Sequence, residues 1–398
     1  MQQTEILIIG GGIAGVATAY FLTQQGHKVT LLERGELASE ASGLNAGTIW
    51  AIGWGYQPDL YATLSMGGLD ILKMLQIDLG YPLSFRQSGA IKAIRTEEEY
   101  GFAEQLIQQR TRDGYRLELL TSPDARSIEP ELSRNILGCL HYPYGSQADP
   151  VRTVLVLASQ ARQHGAIILT RCEVTGIEVL DSGSYQVVTA TETFKAATLV
   201  LAAGPWCRQL GLLLGLNIPV FAVRGQLWIT DPVPPSLFHC IGALEADLYW
   251  HKSPYSDEQT PLEMTHRGQQ RVTRHLYGRQ NAKGEIIIGG DRQVGVDKVP
   301  DMVGIEQNRR HAIEIFPFLH AHAVRRIYVG WMPFTRELRP IIGPLPGFEH
   351  LYVLTGLGSS GFEYGPMAGK LLAEAIHSGT VPPILAEADP ALQVTHGA

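Results

Sequence analysis

Glu5-Ile6-Leu7-Ile8-Ile9-Gly10-Gly11-Gly12-Ile13-Ala14-Gly15 reads as an apolar strand running into a Gly-x-Gly-x-x-Gly turn. The turn opens a small-residue helix that carries Val16, Ala17 and Ala19. After a break at Gly26, a second strand from Lys28 to Leu32 ends on Glu33. Gly10 permits the tight turn, and Gly12 lets a pyrophosphate approach the backbone. Gly15 and Ala19 let the helix pack close to the sheet. The helix N-terminus offers free N–H groups and the positive end of a dipole to phosphates. Glu33 is placed to accept the two hydroxyls of an adenosine ribose. An ordinary tight strand-to-helix turn would leave that acid unexplained, so the unit predicts a dinucleotide site.

Composition narrows the class. A chain of 398 residues is too long for one simple core, and two domains are expected. Apolar residues make up 45% and charged residues 18%, the balance of a globular protein in water. The net charge of −7 argues against nucleic acid as the main partner and against broad binding to anionic membranes. No segment approaches about 18 uninterrupted apolar residues, so no transmembrane helix is expected. The chain enters its first strand directly, so no signal peptide is expected either. Cys139, Cys172, Cys207 and Cys240 are scattered, with no CxxC pair. Buried thiols in a reducing cytoplasm are the expectation. His320-Ala-His322 lacks further ligands, and no metal is expected.

Farther along, Ala41-Ser42-Gly43-Leu44-Asn45-Ala46-Gly47-Thr48 is a small, polar loop suited to lie against a flat ligand. Helices are predicted over 65–80, 96–118, 150–163, 304–317 and 366–377. Strands are predicted over 85–95, 166–180 and 199–204. From Pro219 the pattern turns sheet-like, with strands over 220–230, 247–251, 274–277, 285–289, 325–329 and 350–355. The polar, aperiodic stretch 252–273 reads as a loop or lid. The Pro/Ala-rich tail after 380 reads as frayed. Rossmann-like pieces and sheet-rich pieces alternate, so two domains are interleaved along the chain.

The ordered set of motifs resembles the D-amino-acid oxidase superfamily, in its glycine oxidase and sarcosine oxidase branch. The set begins with the glycine turn and Glu33, then Ser42 with Asn45-Ala46-Gly47 and Ala148-Asp149-Pro150. It continues with Leu201-Ala-Ala-Gly204-Pro-Trp206, Arg224-Gly225-Gln226 and Ile288-Gly289-Gly290. It closes with Gly330-Trp331-x-Pro333-x-Thr335, Pro340-Ile-Ile-Gly343-Pro344 and Gly356-x-Gly358-Ser-Ser-Gly361-Phe362. The resemblance implies an α/β fold: a glutathione-reductase-type, Rossmann-like FAD-binding domain interleaved with a mixed, mostly antiparallel β-sheet substrate domain. The expected FAD pieces are 1–84, 150–215 and 330–380. The substrate pieces are 85–149 and 216–329, and 381–398 is the tail.

Implied FAD contacts are Gly10, Gly12, Ile13, Ala14, Gly15, Glu33, Arg34, Ser42, Asn45, Ala46, Gly47 and Thr48. Val174, Ala203, Gly204, Trp206, Gly330, Gly356, Gly358, Ser359, Ser360, Gly361 and Phe362 complete them. Trp206 and Trp331 also have a plain packing reading. Sarcosine oxidase-like members attach flavin through a cysteine near the position of Gly330. No cysteine lies nearby here, so the FAD is expected to be non-covalent.

The substrate site departs from the family. Glycine oxidase-like members hold the substrate carboxylate with arginines at the positions of Met332 and Ser359. A sarcosine oxidase-like lysine corresponds to Glu363. Arg336, Arg339, Arg279 or His251 are candidate replacements. The proposed catalytic set is Tyr277, Tyr249, Arg336 and Glu363. Core packing for the tyrosines, surface pairing for Arg336 and helix capping for Glu363 stand beside that reading. The implied activity is oxidation of the C–N bond of an amino acid or amine, with oxygen or a quinone as acceptor and a homo-oligomer as a possible assembly. A flavin-dependent 2-hydroxy-acid dehydrogenase, a non-catalytic FAD-binding assembly protein and an NAD enzyme remain as alternatives.

Overall fold

The computed structural model describes residues 2–52, 58–252, 260–295 and 297–396. Two eight-stranded sheets organise it. The first is ordered Ile341–Pro344, Leu351–Thr355, Thr193–Leu201, Gln2–Ile9, Val29–Leu32 and Ile167–Leu169, with Tyr185–Thr189 and Val174–Val179 branching off Thr193–Leu201. From Leu351–Thr355 to Ile167–Leu169 its neighbours pair in parallel. A parallel sheet is covered on both faces, so its strands carry apolar residues on both. Ile6 and Ile8 of the first strand accordingly enter one core cluster, and Leu7 and Ile9 enter another.

Helices Ile13–Gln24, Pro58–Lys73, Pro150–Gln163 and Gly361–Ser378 share the core of Ile6 and Ile8. Small residues set their spacing. A Cβ on Gly369 would lie 2.7 Å from Ala17 Cβ, and one on Gly68 would lie 1.9 Å from the Glu363 carbonyl oxygen. Bulkier residues there would push the helices apart.

The second sheet is ordered Arg326–Phe334, Phe221–Ile229, Ile286–Val294, Tyr277–Gln280, Cys240–Ala243, Ala90–Ile94, Gly138–Tyr142 and Glu118–Thr121. All of its pairings are antiparallel except Cys240–Ala243 with Ala90–Ile94. Helix Met302–Ile315 packs beneath it through Ile305, Ala312 and Ile315.

Several expectations change. Residues 247–251 are not a strand: Glu245–Lys252 is a helix, acidic in its first turn and basic in its last, as the helix dipole favours. Ala246, Asp247 and Trp250 are its buried residues, and eight residues are too few for periodicity to separate helix from strand. Residues 253–259 of the expected lid lie outside the described residues. The rest of it is packed, with Leu262, Met264 and Thr265 buried and a short hairpin, His266–Arg267 with Gln270–Arg271. The tail is not frayed either. Leu385 and Ala388 are buried, and Thr395–His396 pairs with Leu216–Asn217. The strand Arg326–Phe334 pairs wholly within the second sheet, so 330–334 leaves the FAD piece to which it was assigned. The final helix begins at Gly361, with Pro366 inside it. Among the described residues, no helix is long and apolar enough to cross a membrane.

Candidate active site

One cavity runs from the first helix N-terminus to the inner face of the second sheet. At its first end the backbone does the shaping. Gly10 has φ +123°, and a Cβ there would lie 2.4 Å from the Ala202 carbonyl oxygen. Gly15 meets the Gly10 carbonyl at 2.1 Å from its own notional Cβ. The Glu33 carboxylate accepts from Gly11 N and Gly35 N, each at 2.7 Å. Glu33 therefore braces the turn as well as lining the cavity. Ser42 Oγ accepts from Ile13 N at 2.9 Å, and Asn45 Oδ1 accepts from Gly47 N at 2.7 Å. Arg34 lies over the Trp206 ring at 3.9 Å, and Trp206 stands 5.8 Å from Trp331.

Of the residues singled out as FAD contacts, Gly15, Gly47 and Gly356 do not line the cavity. They stand behind its wall as packing and turn residues. The notional Cβ of Gly47 would strike the Ala148 carbonyl at 2.1 Å, and Gly356 has φ +73° against Thr335. The others all face the cavity.

The opposite wall differs from expectation. Tyr277 lines the cavity, and burial raises its phenol above the ordinary value. Tyr249 does not line it: its helix carries it against the cluster of Ala246, Trp250 and Leu262. Arg336 is exposed and outside the wall. Glu363 lines the cavity but its oxygens are committed within the protein. Oε2 accepts from Trp50 N at 2.9 Å, and Oε1 accepts from Ala51 N at 3.1 Å and from the Ser65 hydroxyl. Its role is to clamp the 50–51 turn, where Ala51 has φ +61°. Burial raises its carboxyl above the usual range.

Among the other candidate cations, Arg279 is buried on the Ala46 carbonyl and Gln147 Oε1. Arg339 lies outside the wall, and His251 is exposed beside Phe102.

Sequence reading missed Lys92, His275 and Arg292, which all line the cavity. Lys92 is buried in an ion pair with Asp247. Burial pushes its ammonium down, but the Asp247 carboxylate and the Tyr142 phenol together hold it above the ordinary lysine value. His275 stacks between Trp250 and Tyr277 at ring separations of 5.0 and 5.5 Å. Burial, followed by the nearby Arg292 charge, drives it well below the ordinary histidine range, so it is neutral. Arg292 Nη1 bonds Glu263 Oε2 at 3.0 Å. The three are spread over 200 positions with no local motif, and only strand register brings them together.

His266, Asp291 and Asp301 place ligand-type atoms within 4.8 Å of one another. Arg271 and Arg224 bond the Asp291 carboxylate at 2.6 and 3.3 Å, which makes the group an ion-pair network.

With this geometry described, comparison decides the family. A profile described as FAD dependent oxidoreductase (DAO) matches residues 5–375. The chain belongs to this family of FAD-dependent oxidoreductases. Mitochondrial dimethylglycine dehydrogenase of Mus musculus is 25% identical over 400 residues, covering 98% of this chain and 44% of that protein. The chain thus spans less than half the length of that relative. Sarcosine oxidase subunit beta of Arthrobacter sp is 27% identical over 387 residues, covering 94% of this chain and 87% of that subunit. The crystal structure of glycine oxidase from Geobacillus kaustophilus shares the fold, with TM-score 0.84, 23% identity and 98% of each chain covered.

The residues of this FAD-dependent oxidoreductase fit its cofactor. Gly12 caps the first helix with no side chain of its own; Ser42 Oγ takes Ile13 N, and the remaining first-turn N–H groups suit a phosphate. Trp331 lines the cavity with its indole Nε1 buried and unpartnered among the described residues, a donor in need of an acceptor.

Proposed function

We propose that this oxidoreductase oxidises the C–N bond of an amino acid or a primary or secondary amine. One observation carries the reading: a single cavity joins the glycine turn and Glu33 to a wall that bears Tyr277, His275 and Arg292. Relatives named for dimethylglycine, sarcosine and glycine support the same substrate class.

In this reading the cavity-lining residues of the Gly10–Gly12 turn, the 42–48 loop, Ala203-Gly204 and the 358–362 loop cradle FAD without a covalent bond. Bound FAD supplies a hydride acceptor for the substrate α C–H, and the imine left behind hydrolyses. Gly361 and Phe362 at the start of the final helix line the cavity, and the N–H groups of that terminus would favour negative charge on a bound flavin. Neutral His275 and the protonated Tyr277 phenol orient the substrate through hydrogen bonds, and the amine binds neutral, so that its nitrogen lone pair forms the C=N bond as the hydride leaves. Trp50 and Tyr277 line the cavity with aromatic rings. The acceptor in this reading would be oxygen or a quinone.

Anaerobic addition of amino acids and amines to the yellow holoenzyme tests this by loss of flavin absorbance. Bleaching by amines or amino acids is expected. Bleaching by 2-hydroxy acids alone would replace the reading with hydroxy-acid oxidation.

A further inference from the structure

We infer that Arg292 is the carboxylate anchor of the substrate, held in place by Glu263 and Ser359. This rests on the reading that the substrate is an amino acid. The relevant family positions, Met332 and Ser359, are neutral here. Met332 lies in an apolar cluster with Val223, Met264 and Phe334. A buried carboxylate still needs a paired charge, and the sheet supplies one two strands away.

Register makes the case. Gly330 pairs with Gly225, and Gly225 pairs with Arg292, so the three form one row across the sheet. All three line the cavity. The Met332 methyl covers Gly225, 2.9 Å from a notional Cβ there. Two of the row's three residues have no side chain, so Arg292 supplies the row's only side chain. Two interstrand steps displace it roughly 10 Å from the row's outer strand.

The guanidinium is preset for a second acid. Nη1 reaches Glu263 Oε2 at 3.0 Å and the Glu263 carbonyl at 3.4 Å. Nε and Nη2 have no acceptor among the described residues, and the planar fork matches a carboxylate through two parallel bonds. Trp250 flanks the group with its ring centre 5.5 Å from Cζ. Ser359 Oγ donates to Glu263 Oε2 at 2.6 Å. The residue standing at a family arginine position therefore now fixes the acid that fixes the relocated arginine. Glu263 has φ +67°, an unfavourable conformation for a residue with a side chain. Backbone outliers of this kind cluster where geometry serves a site. Glu263 and Ser359 are positioning residues.

Redox-inert probes separate this inference from the proposed reaction. Benzoate and its uncharged counterpart benzamide are titrated into the FAD-loaded enzyme. Binding is read by the change in visible flavin absorption and by the shift in unfolding temperature. The native enzyme should favour benzoate. Arg292→Met should weaken benzoate at least about 30-fold and benzamide less than about 3-fold, with Arg292→Lys between. Arg292→Met leaves Glu263 buried without its cation, so Arg292→Met/Glu263→Gln, which removes both charges, is measured beside it. Glu263→Gln alone should weaken benzoate about 5-fold and spare benzamide. Equal losses for both probes, unchanged benzoate binding, or no native preference for benzoate would overturn the anchor. Failure of every amine to bleach the flavin would overturn the proposed reaction and leave this binding result intact.

Discussion

The two ends of the cavity are built from different materials. At the nucleotide end, the shaping groups are backbone atoms and small residues, most of them within residues 10–48. At the substrate end, they are charged and aromatic side chains from Lys92, Asp247, Glu263, His275 and Arg292. The first end is specified by which residues stand next to one another in the chain. The second is specified by which strands stand next to one another in the sheet. A nucleotide cradle can therefore persist while the opposite wall changes its charges.

If the contrast holds, steric damage should dominate at the first end. Gly10→Val places a side chain at φ +123° against the Ala202 carbonyl. It should cost more than about 4 kcal/mol and abolish FAD binding. Gly26→Ala is the control: its φ is +88°, but nothing lies within 4 Å of the added Cβ. It should cost only about 1 kcal/mol. FAD content per folded protein checks both, and a yellow Gly10→Val protein would contradict the backbone account.

Unpaired charge should dominate at the second end. Lys92→Met leaves Asp247 buried alone, and Asp247 Oδ1 already has no hydrogen-bond partner among the described residues. Unfolding in urea should show a loss of about 3–5 kcal/mol. Lys92→Met/Asp247→Leu should recover most of it. No recovery would mean that Lys92 acts through packing on Trp50 and Tyr142.

Glu33 joins the two modes, as a side chain that braces a backbone turn. Glu33→Gln exchanges charge-assisted bonds for neutral ones and should cost about 1.5–3 kcal/mol in FAD affinity, roughly 10- to 150-fold. FAD titration of the apoprotein measures it. An unchanged Kd would remove Glu33 from the cofactor site.

Acid should act first beneath the second sheet. His311 on the helix below it is fully buried, and burial, then Arg274 and Arg95, push it down to about 3. The unfolded chain takes up this proton below the ordinary value of 6.5, whereas the folded chain does not. Its contribution is present above pH 6.5 and is lost as pH falls from there towards 3, by about 1.4 kcal/mol per unit. His311→Leu should flatten the stability profile between pH 6.5 and 4.5 by about that slope, measured by urea unfolding across pH. An unchanged profile would place the acid sensitivity elsewhere, with His275 the next candidate.

What could be read from the chain follows the same division. The strand, turn, helix and acid of residues 5–33 obey local rules, and so does the fold class that follows from them. The helix Glu245–Lys252 escaped because eight residues show too little periodicity to separate helix from strand. That error put Tyr249 beside Tyr277 and hid Asp247, the partner of Lys92. Arg292 escaped because its neighbours Gly225 and Gly330 meet it only through register. Arg336 drew attention through its place in a motif, yet it is exposed and does not line the cavity. Glu363 was correctly marked as unusual, but a carboxylate that clamps a remote turn looks the same in sequence as one that meets a ligand.

The order of strands in the first sheet also bears on biosynthesis. Gln2–Ile9 is centred between neighbours, and Thr193–Leu201 pairs with it across about 190 residues of chain. A ribosome working at about 5–20 residues per second needs roughly 10–40 s to make that partner. Leu351–Thr355, which closes the far side of Thr193–Leu201, is made later still. Until then an apolar strand edge waits unpaired, a template for association with other nascent chains. Slower growth or chaperone supply should therefore raise the yield of folded protein more than added flavin does, since the cavity-lining 358–362 loop is made after every strand of the first sheet.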